Sequence, residues 1–435
     1  MRVLVVAAAF TPEPVGSAIV GQHLAQELAA RGCAVTVCCP QPSRPIGADY
    51  SNFRSNAPLL TTEAGVSVVR LPSFSAPESH FAKRARESWS FGWHTCRYLG
   101  KARIQSDVMY VNAWPLLGQA LLARYARRTL TPMVLHVQDI YPESMLLKLP
   151  GALRGGAAAV LSRLDRWIAN QAAAVVTISQ NMHRTYVESR RIPAEKVFMV
   201  NNWQDDQLFA ALPPRSAACA RFGVPEAPFT FIYLGNIGPV AGVDFLIRSF
   251  CQAQLHAAQL LIIGGGSAKR AHENLVRDLA ATNVRFIPCP DARNVPLLQS
   301  MAHICLLPVR KGAAMSSIPS KLMSYMFSAR PVLATVDLES DTARVVAEAG
   351  CGWVEEPENL GALAAKMREV AALSGAELDQ IGQFGRAYAL AHHSKRAGAR
   401  KLADVVMSVV CKQSALGRGS RRAQNDSRGG AVLHA

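Results

Sequence analysis

Ile318-Pro319-Ser320-Lys321-Leu322-Met323-Ser324-Tyr325-Met326, running on through Ala329-Arg330-Pro331-Val332-Leu333-Ala334-Thr335, reads as a loop that opens a short helix, then a break, then a buried strand. Pro319 and Ser320 suit a first helical turn, where proline has no donor to lose and a serine hydroxyl can cap. The N–H groups at such a start attract anions, and Lys321 adds a full positive charge. A phosphate or diphosphate is the natural occupant. A capped helix before a strand, with no ligand, is the plainer reading of the same residues.

Working outward, strands are expected at Val3–Ala8, Ala34–Cys39, Val66–Leu71, Val108–Val111, Met133–Val137 and Ala174–Ser179. Helical spacing lies between them at Ala18–Ala30, Gly118–Arg127 and Ala157–Gln171. This order is that of a doubly wound parallel sheet. Beyond Val200-Asn201-Asn202-Trp203 the composition shifts, and Pro213-Pro214 with Pro225 to Pro228 reads as a linker. A second series begins at Phe229–Leu234 and continues through Gln259–Ile263, Val284–Ile287, Ile304–Leu307, Val332–Thr335 and Gly352–Val354. The expected division is an α/β domain at 1–205, a second at 206–386, a returning helix at 387–412 and a disordered basic tail at 413–435. Two such halves imply a cleft between them.

Gly264-Gly265-Gly266 follows a strand and precedes a helix, the place where open α/β sheets bind ligands. It is not GxGxxG, so it carries no dinucleotide fingerprint. Arg310 and Lys311 end the Ile304–Leu307 run as candidate phosphate cations. Ser340-Asp341-Thr342 precedes a helix, where Asp341 can cap or accept a bond from a ligand hydroxyl. In the first half, His136-Val137-Gln138-Asp139-Ile140-Tyr141-Pro142-Glu143 emerges from a buried strand, where functional groups cluster. Glu143 also suits a helix start as a charge favoured by the dipole.

The order Pro-Ser-Lys-Leu, Tyr-Met, Arg-Pro-Val-Leu-Ala resembles the nucleotide-sugar region of family-4 glycosyltransferases of the GT-B fold, from about Met1 to about Val410. Those that assemble bacterial O-antigen, capsule and exopolysaccharide units, including N-acetylfucosamine-type and colanic-acid-type fucose transferases, are the most similar. The resemblance implies two Rossmann-like domains facing a central cleft. It also implies a retaining transfer of a sugar from a nucleoside diphosphate sugar to a lipid-linked saccharide, with UDP favoured over GDP. Gly16 then resembles the glycine loop that approaches the diphosphate, and Gly235-Asn236-Ile237-Gly238 the first glycine turn of the donor domain. The Arg and Lys that many members carry there are Asn236 and Ala241 here, so Lys321, Arg310 and Lys311 are left to supply the charge. Two glutamates common in the family are Ser316 and Ser324 here, which can hydrogen-bond a sugar or ribose without charge. Ser320 joins the donor loop. His136 would face the donor sugar, and Asp139 would orient it or contact the acceptor. No Asp-x-Asp metal loop is present, so a metal-independent reaction without further cofactor is expected.

The chain has 435 residues, half of them hydrophobic and 18% charged, enough for two buried cores. None of its ten cysteines forms a CxxC pair. With no export signal or spanning helix read, the expected place is the cytosol, peripheral at the inner membrane face. The net charge of +16 asks for an anionic partner. No nucleic-acid motif appears, and none is expected to bind. His80 to Arg103 instead mixes Lys83, Arg84, Arg86, Arg97, Lys101 and Arg103 with Phe81, Trp89, Phe91, Trp93 and Tyr98, which suits an anionic headgroup zone. A GT-B-fold UDP-sugar 2-epimerase is one rival reading. A noncatalytic basic membrane- or nucleic-acid-binding protein on a degenerate scaffold is the other.

Overall fold

The computed structural model describes residues 1–44, 48–76, 81–112, 116–141, 151–288, 291–312 and 318–411. Ser316, Glu143, His80 and the tail from 412 therefore lie outside the described residues. The chain divides into two compact units. One is Met1–Asn202 with Gly398–Ala435, and the other is Trp203–Ala397.

The first unit carries strands β1 (Arg2–Ala7), β2 (Ala34–Pro40), β3 (Leu59–Glu63), β4 (Val66–Leu71), β5 (Val108–Asn112), β6 (Met133–Val137), β7 (Ala174–Thr177) and β8 (Val197–Met199). They form one sheet in the order β3-β4-β2-β1-β5-β6-β7-β8, parallel except for β3 against β4. Helices α1 (Gly16–Ala30), α2 (Phe81–Ala102), α3 (Leu117–Thr129), α4 (Gly151–Gln171) and α5 (Gln180–Arg184) connect them. Runs such as Val3-Leu4-Val5-Val6 are buried along their whole length, because a parallel sheet is covered on both faces. The strand order reverses between β1 and β5. Ligands of open α/β sheets bind beside such a reversal, at the carboxyl ends of the strands.

The second unit repeats the plan with β9 (Phe229–Leu234), β10 (Ala258–Ile263), β11 (Val284–Ile287), β12 (Ile304–Pro308), β13 (Val332–Thr335) and β14 (Gly352–Glu355), all parallel in the order β11-β10-β9-β12-β13-β14. Its helices are α6 (Arg215–Phe222), α7 (Val243–Ala253), α8 (Lys269–Asp278), α9 (Val295–Ser300), α10 (Ser320–Phe327), α11 (Asp341–Ala349), α12 (Leu360–Ala371) and α13 (Gly375–His392). Side chains alternate between two cores. Ile232, Leu261, Ile263, Cys305 and Leu307 point to one. Phe231, Tyr233, Leu260, Ile262 and Leu306 point to the other. This sheet reverses between β9 and β12.

The expected proline linker is part of this unit. Pro214 starts α6, whose Ala218 and Cys219 pack in the core with Phe209 and Val224. The expected last helix is broken at His393-Ser394 into α13 and a helix at 395–411, α14. In the latter, Asp404 pairs with Arg31 of α1, 2.5 Å away.

Strands β9 and β12 pair only at Phe231–Ile304 and Ile232–Cys305. Beyond that they diverge, and Leu234 needs another partner for its peptide groups. The buried Tyr325 hydroxyl takes the place of a strand. It accepts from Leu234 N at 3.0 Å and has the carbonyls of Leu234 and Leu306 at 3.2 and 3.3 Å for its one proton. The far end of α10 is held by α13, whose Arg386 donates to the Phe327 carbonyl and, at 2.9 Å, to that of Phe209. A cation there also suits the negative end of the helix dipole.

Tyr325→Phe leaves the part-buried Leu234 amide without its acceptor, a loss of about 1 kcal/mol. Denaturant unfolding is expected to show a lower midpoint, and an unchanged midpoint would contradict this role for the hydroxyl.

Candidate functional site

In the second unit the predicted residues converge beside the reversal of the sheet. Lys321 lies one helical turn before Tyr325, so the anchoring of Tyr325 also sets the height of Lys321. The lysine Nζ donates to Tyr233 Oη at 3.0 Å and sits 4.8 Å from the centre of the Tyr233 ring. Among the described residues Lys321 pairs with no carboxylate. Burial lowers its pKa. The Tyr233 hydroxyl is itself pinned by donation to the Asn236 carbonyl at 2.6 Å.

The glycines permit this closeness. A Cβ on Gly235 would lie 2.1 Å from Lys321 Cε, and one on Gly264 would lie 2.2 Å from the Gly235 carbonyl oxygen. Both have positive φ, +151° and +134°, which glycine adopts without the strain a side chain would bring. The two turns are stitched by Gly235 N to Ile263 O at 2.9 Å and Ile237 N to Gly265 O at 2.8 Å. Exposed Asn236 reaches toward Gly266, its Oδ1 lying 2.6 Å from where a Cβ of that glycine would stand. Gly235, Asn236, Gly264, Gly265, Gly266 and Lys321 thus form one polar shelf at the strand ends.

Other predicted members stand apart from that shelf. Arg310 gives two bonds to the Asp244 carboxylate, at 2.7 and 2.8 Å, so its charge is already matched. Lys311 is exposed. Ser324 is buried and accepts from Gln299 Nε2 at 2.7 Å, while Ser328 donates to the other end of that amide at 2.5 Å. It ties α10 to α9. Ser320 is the first residue of α10 and not its cap. Pro319 precedes it, no side chain caps the helix, and the Ser320 carbonyl accepts from Gln204 Nε2 at 2.7 Å. Asp341 does not cap α11 either. Ser340 does, accepting from Ala343 N at 3.2 Å, while Asp341 is buried against Arg344.

In the first unit, Ala8, Ser17, Asn112, Gln119, His136, Gln138, Asp139 and Tyr141 line a cavity of about 90 Å³ at the ends of β1, β5 and β6. His136 is 1% exposed, and burial lowers its pKa to about 3. Its ring has Tyr110 Oη 2.5 Å from Nδ1 and Gln138 Nε2 3.1 Å from Nε2. Asn202 Nδ2 donates to Gln138 Oε1 at 3.0 Å, which turns the Gln138 amide nitrogen toward the imidazole. His136 is therefore a neutral ring with both nitrogens engaged, in the lining of that cavity. Asp139 is exposed on the loop after β6. Gly16 opens α1, and a Cβ there would meet no atom within 4 Å, so packing does not require the glycine.

Sequence reading missed Tyr110, Gln138, Asn202 and Tyr233. Tyr110 and Tyr233 sit inside apolar strand runs, where a hydroxyl gives no periodic signal.

Two family models match the chain, one described as a glycosyl transferase 4-like domain over residues 15–203 and one as glycosyl transferases group 1 over residues 228–372. WcaI of Escherichia coli K12, named for colanic acid biosynthesis glycosyl transfer, is 26% identical over 382 residues, covering 85% of this chain and 92% of the relative. WbjE of Pseudomonas aeruginosa, named as a glycosyltransferase, is 24% identical over 309 residues, with 70% and 73% covered. In fold the chain is similar to HepE from Anabaena, solved in complex with UDP, with a TM-score of 0.69 at 14% identity over 94% of this chain and 100% of that one. It is also similar to sucrose-phosphate synthase from Thermosynechococcus elongatus, at 0.72 and 17% over 95% and 100%. Together with the two doubly wound units, these matches establish that the chain belongs to the family-4 glycosyltransferases of the GT-B fold and is a sugar-transferring enzyme.

Proposed function

We propose that the chain moves a sugar from a nucleoside diphosphate sugar to a lipid-linked, growing saccharide in the assembly of a bacterial surface polysaccharide. The observation that carries the donor half is Lys321, a cation without a carboxylate partner among the described residues, seated over Gly235 at the ends of β9 and β10. A diphosphate there gains a charge-assisted bond and lies near the first turn of α10. A relative in fold solved with UDP, and a relative in sequence named for colanic acid biosynthesis, favour the same reading.

UDP is the favoured base and an N-acetylated deoxyhexose the favoured sugar, on the serine pattern with Pro-Ser-Lys-Leu. The transfer keeps the anomeric configuration. The bond from the anomeric carbon to the diphosphate oxygen breaks while the acceptor oxygen bonds to the same face. The departing diphosphate takes the acceptor proton, and Lys321 offsets the negative charge that develops on it. His136 is not assigned as the base, because burial weakens its basicity and both ring nitrogens already have partners. Beside it in the same cavity, Asn112 and Asp139 offer polar groups for sugar hydroxyls. With a lipid-linked acceptor, the enzyme works peripherally at the cytoplasmic face of an anionic membrane.

Titration calorimetry with UDP, GDP, ADP and NAD is expected to give selective binding of UDP. Binding of NAD alone, or of none of the four, would overturn the donor assignment. Lys321→Ala is expected to lower turnover about 100-fold or more while leaving the thermal unfolding transition in place. Full activity in that variant would remove the residue from the reaction.

Burial depresses the lysine pKa, so its charged form, which binds diphosphate, is lost at lower pH than for an exposed lysine. UDP affinity should therefore fall as pH rises on the alkaline side, with proton uptake on binding there. In Lys321→Met this alkaline fall should vanish, and its persistence would assign the titration to another group.

A further inference from the structure

Helix α2 presents an outward stripe that no part of the proposed transfer uses. Trp89 is 49% exposed and Trp93 38%. Their rings stack, centroids 6.1 Å apart and planes 15° from parallel. One turn further on, the Arg97 guanidinium lies 5.1 Å from the Trp93 ring centre. Lys101, one turn beyond, is exposed, as is Arg86, three residues before Trp89. Positions 89, 93, 97 and 101 recur at i+4 and so share one face.

The opposite face is core. Phe91 and Leu99 are buried, and Gly92 lets α3 approach until a Cβ on it would lie 2.7 Å from Gly118 Cα. The one acid of α2, Glu87, is buried and paired with Arg44 and Arg84. No negative charge of the helix therefore reaches the stripe. Helix α3 adds exposed Arg124, Arg127 and Arg128, and Leu130 behind it is 87% exposed.

We propose that this stripe is the surface by which the enzyme rests on an anionic phospholipid membrane, with the Trp89 and Trp93 indoles at headgroup level. The inference rests on the reading of a lipid-linked acceptor and adds the surface that meets the bilayer. Indoles suit the boundary because an apolar ring carries one polar N–H, and flanking Lys and Arg lay apolar stems along it while their charges reach lipid phosphates. Each such cation near an anionic leaflet contributes to attraction that falls off within a Debye length. Single-stranded nucleic acid fits less well. It asks for open ring faces in a basic groove, whereas Trp93 already has Trp89 on one turn and Arg97 on the next, on a convex helix.

The test is flotation of the full chain at low salt with vesicles of phosphatidylcholine alone or with added phosphatidylglycerol. Tryptophan emission is followed in parallel. Wild type is expected to float only with phosphatidylglycerol, with a blue shift. Trp89→Ala/Trp93→Ala is expected to bind at least about tenfold more weakly, to lose the blue shift and to keep its UDP affinity and unfolding temperature. Arg86→Glu/Arg97→Glu/Lys101→Glu is expected to lose flotation as well. Flotation unchanged in both variants would overturn the stripe while leaving the membrane reading intact. A wild type that never floats would overturn both, with the donor reading still judged by UDP binding. Retention of an oligonucleotide without flotation would assign the stripe to nucleic acid and overturn the proposal.

Discussion

The second unit depends on how two diverging parallel strands satisfy their peptide groups. Where β9 leaves β12, the Leu234 N–H and carbonyl face away from any strand, and an unpaired buried peptide is costly. Tyr325 answers with one hydroxyl that bonds both groups and reaches the Leu306 carbonyl. A helix anchored this way cannot slide, and Lys321, four residues earlier, inherits its position. The crevice that every doubly wound sheet has at its reversal is here given a cation at a set height. Gly235 and Gly264 are the complement of that constraint, since any side chain on them would push the lysine or the neighbouring turn away.

The distribution of charge follows from the same economy of partners. Arg310 is spent on Asp244, and Arg344 on Asp341. Lys321 has a hydroxyl and an aromatic face, which hold a cation without neutralising it. Such a site favours an anion over a neutral ligand, because the anion supplies the missing countercharge. In the first unit the logic is inverted. His136 is buried against the Tyr110 hydroxyl and the Gln138 amide, so burial disfavours its own charge and both ring nitrogens are already engaged.

The strands were legible wherever burial on both faces made an apolar run. Leu59–Glu63 was not, because it lies at the sheet edge and its Thr-Thr-Glu half faces partly outward. Val197–Met199 is only three residues long. The prolines at 213–214 and 225–228 read as a linker because proline marks breaks, yet the break between the units falls earlier, at Asn202. In the site, the glycine turns were legible because their backbone geometry demands glycine, and Lys321 because a cation at a helix start stands out against the dipole. Ser324 and Asp341 were assigned by their position relative to other residues, and their actual partners, Gln299 and Arg344, are set by tertiary packing and the turn of a helix. The Tyr110–His136–Gln138–Asn202 chain joins residues up to 92 positions apart in a single network, so no local pattern announces it.

The excess of positive charge can be read in the same terms, by asking what each cation already has. A partly buried lysine without a carboxylate carries a desolvation cost, visible in its lowered pKa, that one well-placed anion can offset. That is the condition for a specific site. Exposed cations along α2 carry no such cost, and each alone gains little from any single anion because water and salt screen it. They become effective only together, against an extended anionic plane, and only if something apolar fixes the helix to that plane. Trp89 and Trp93 meet that second requirement. On the proposed readings the two sets of cations therefore differ in kind: depth suits Lys321 to one small anion, and alignment beside exposed indoles suits α2 to a surface.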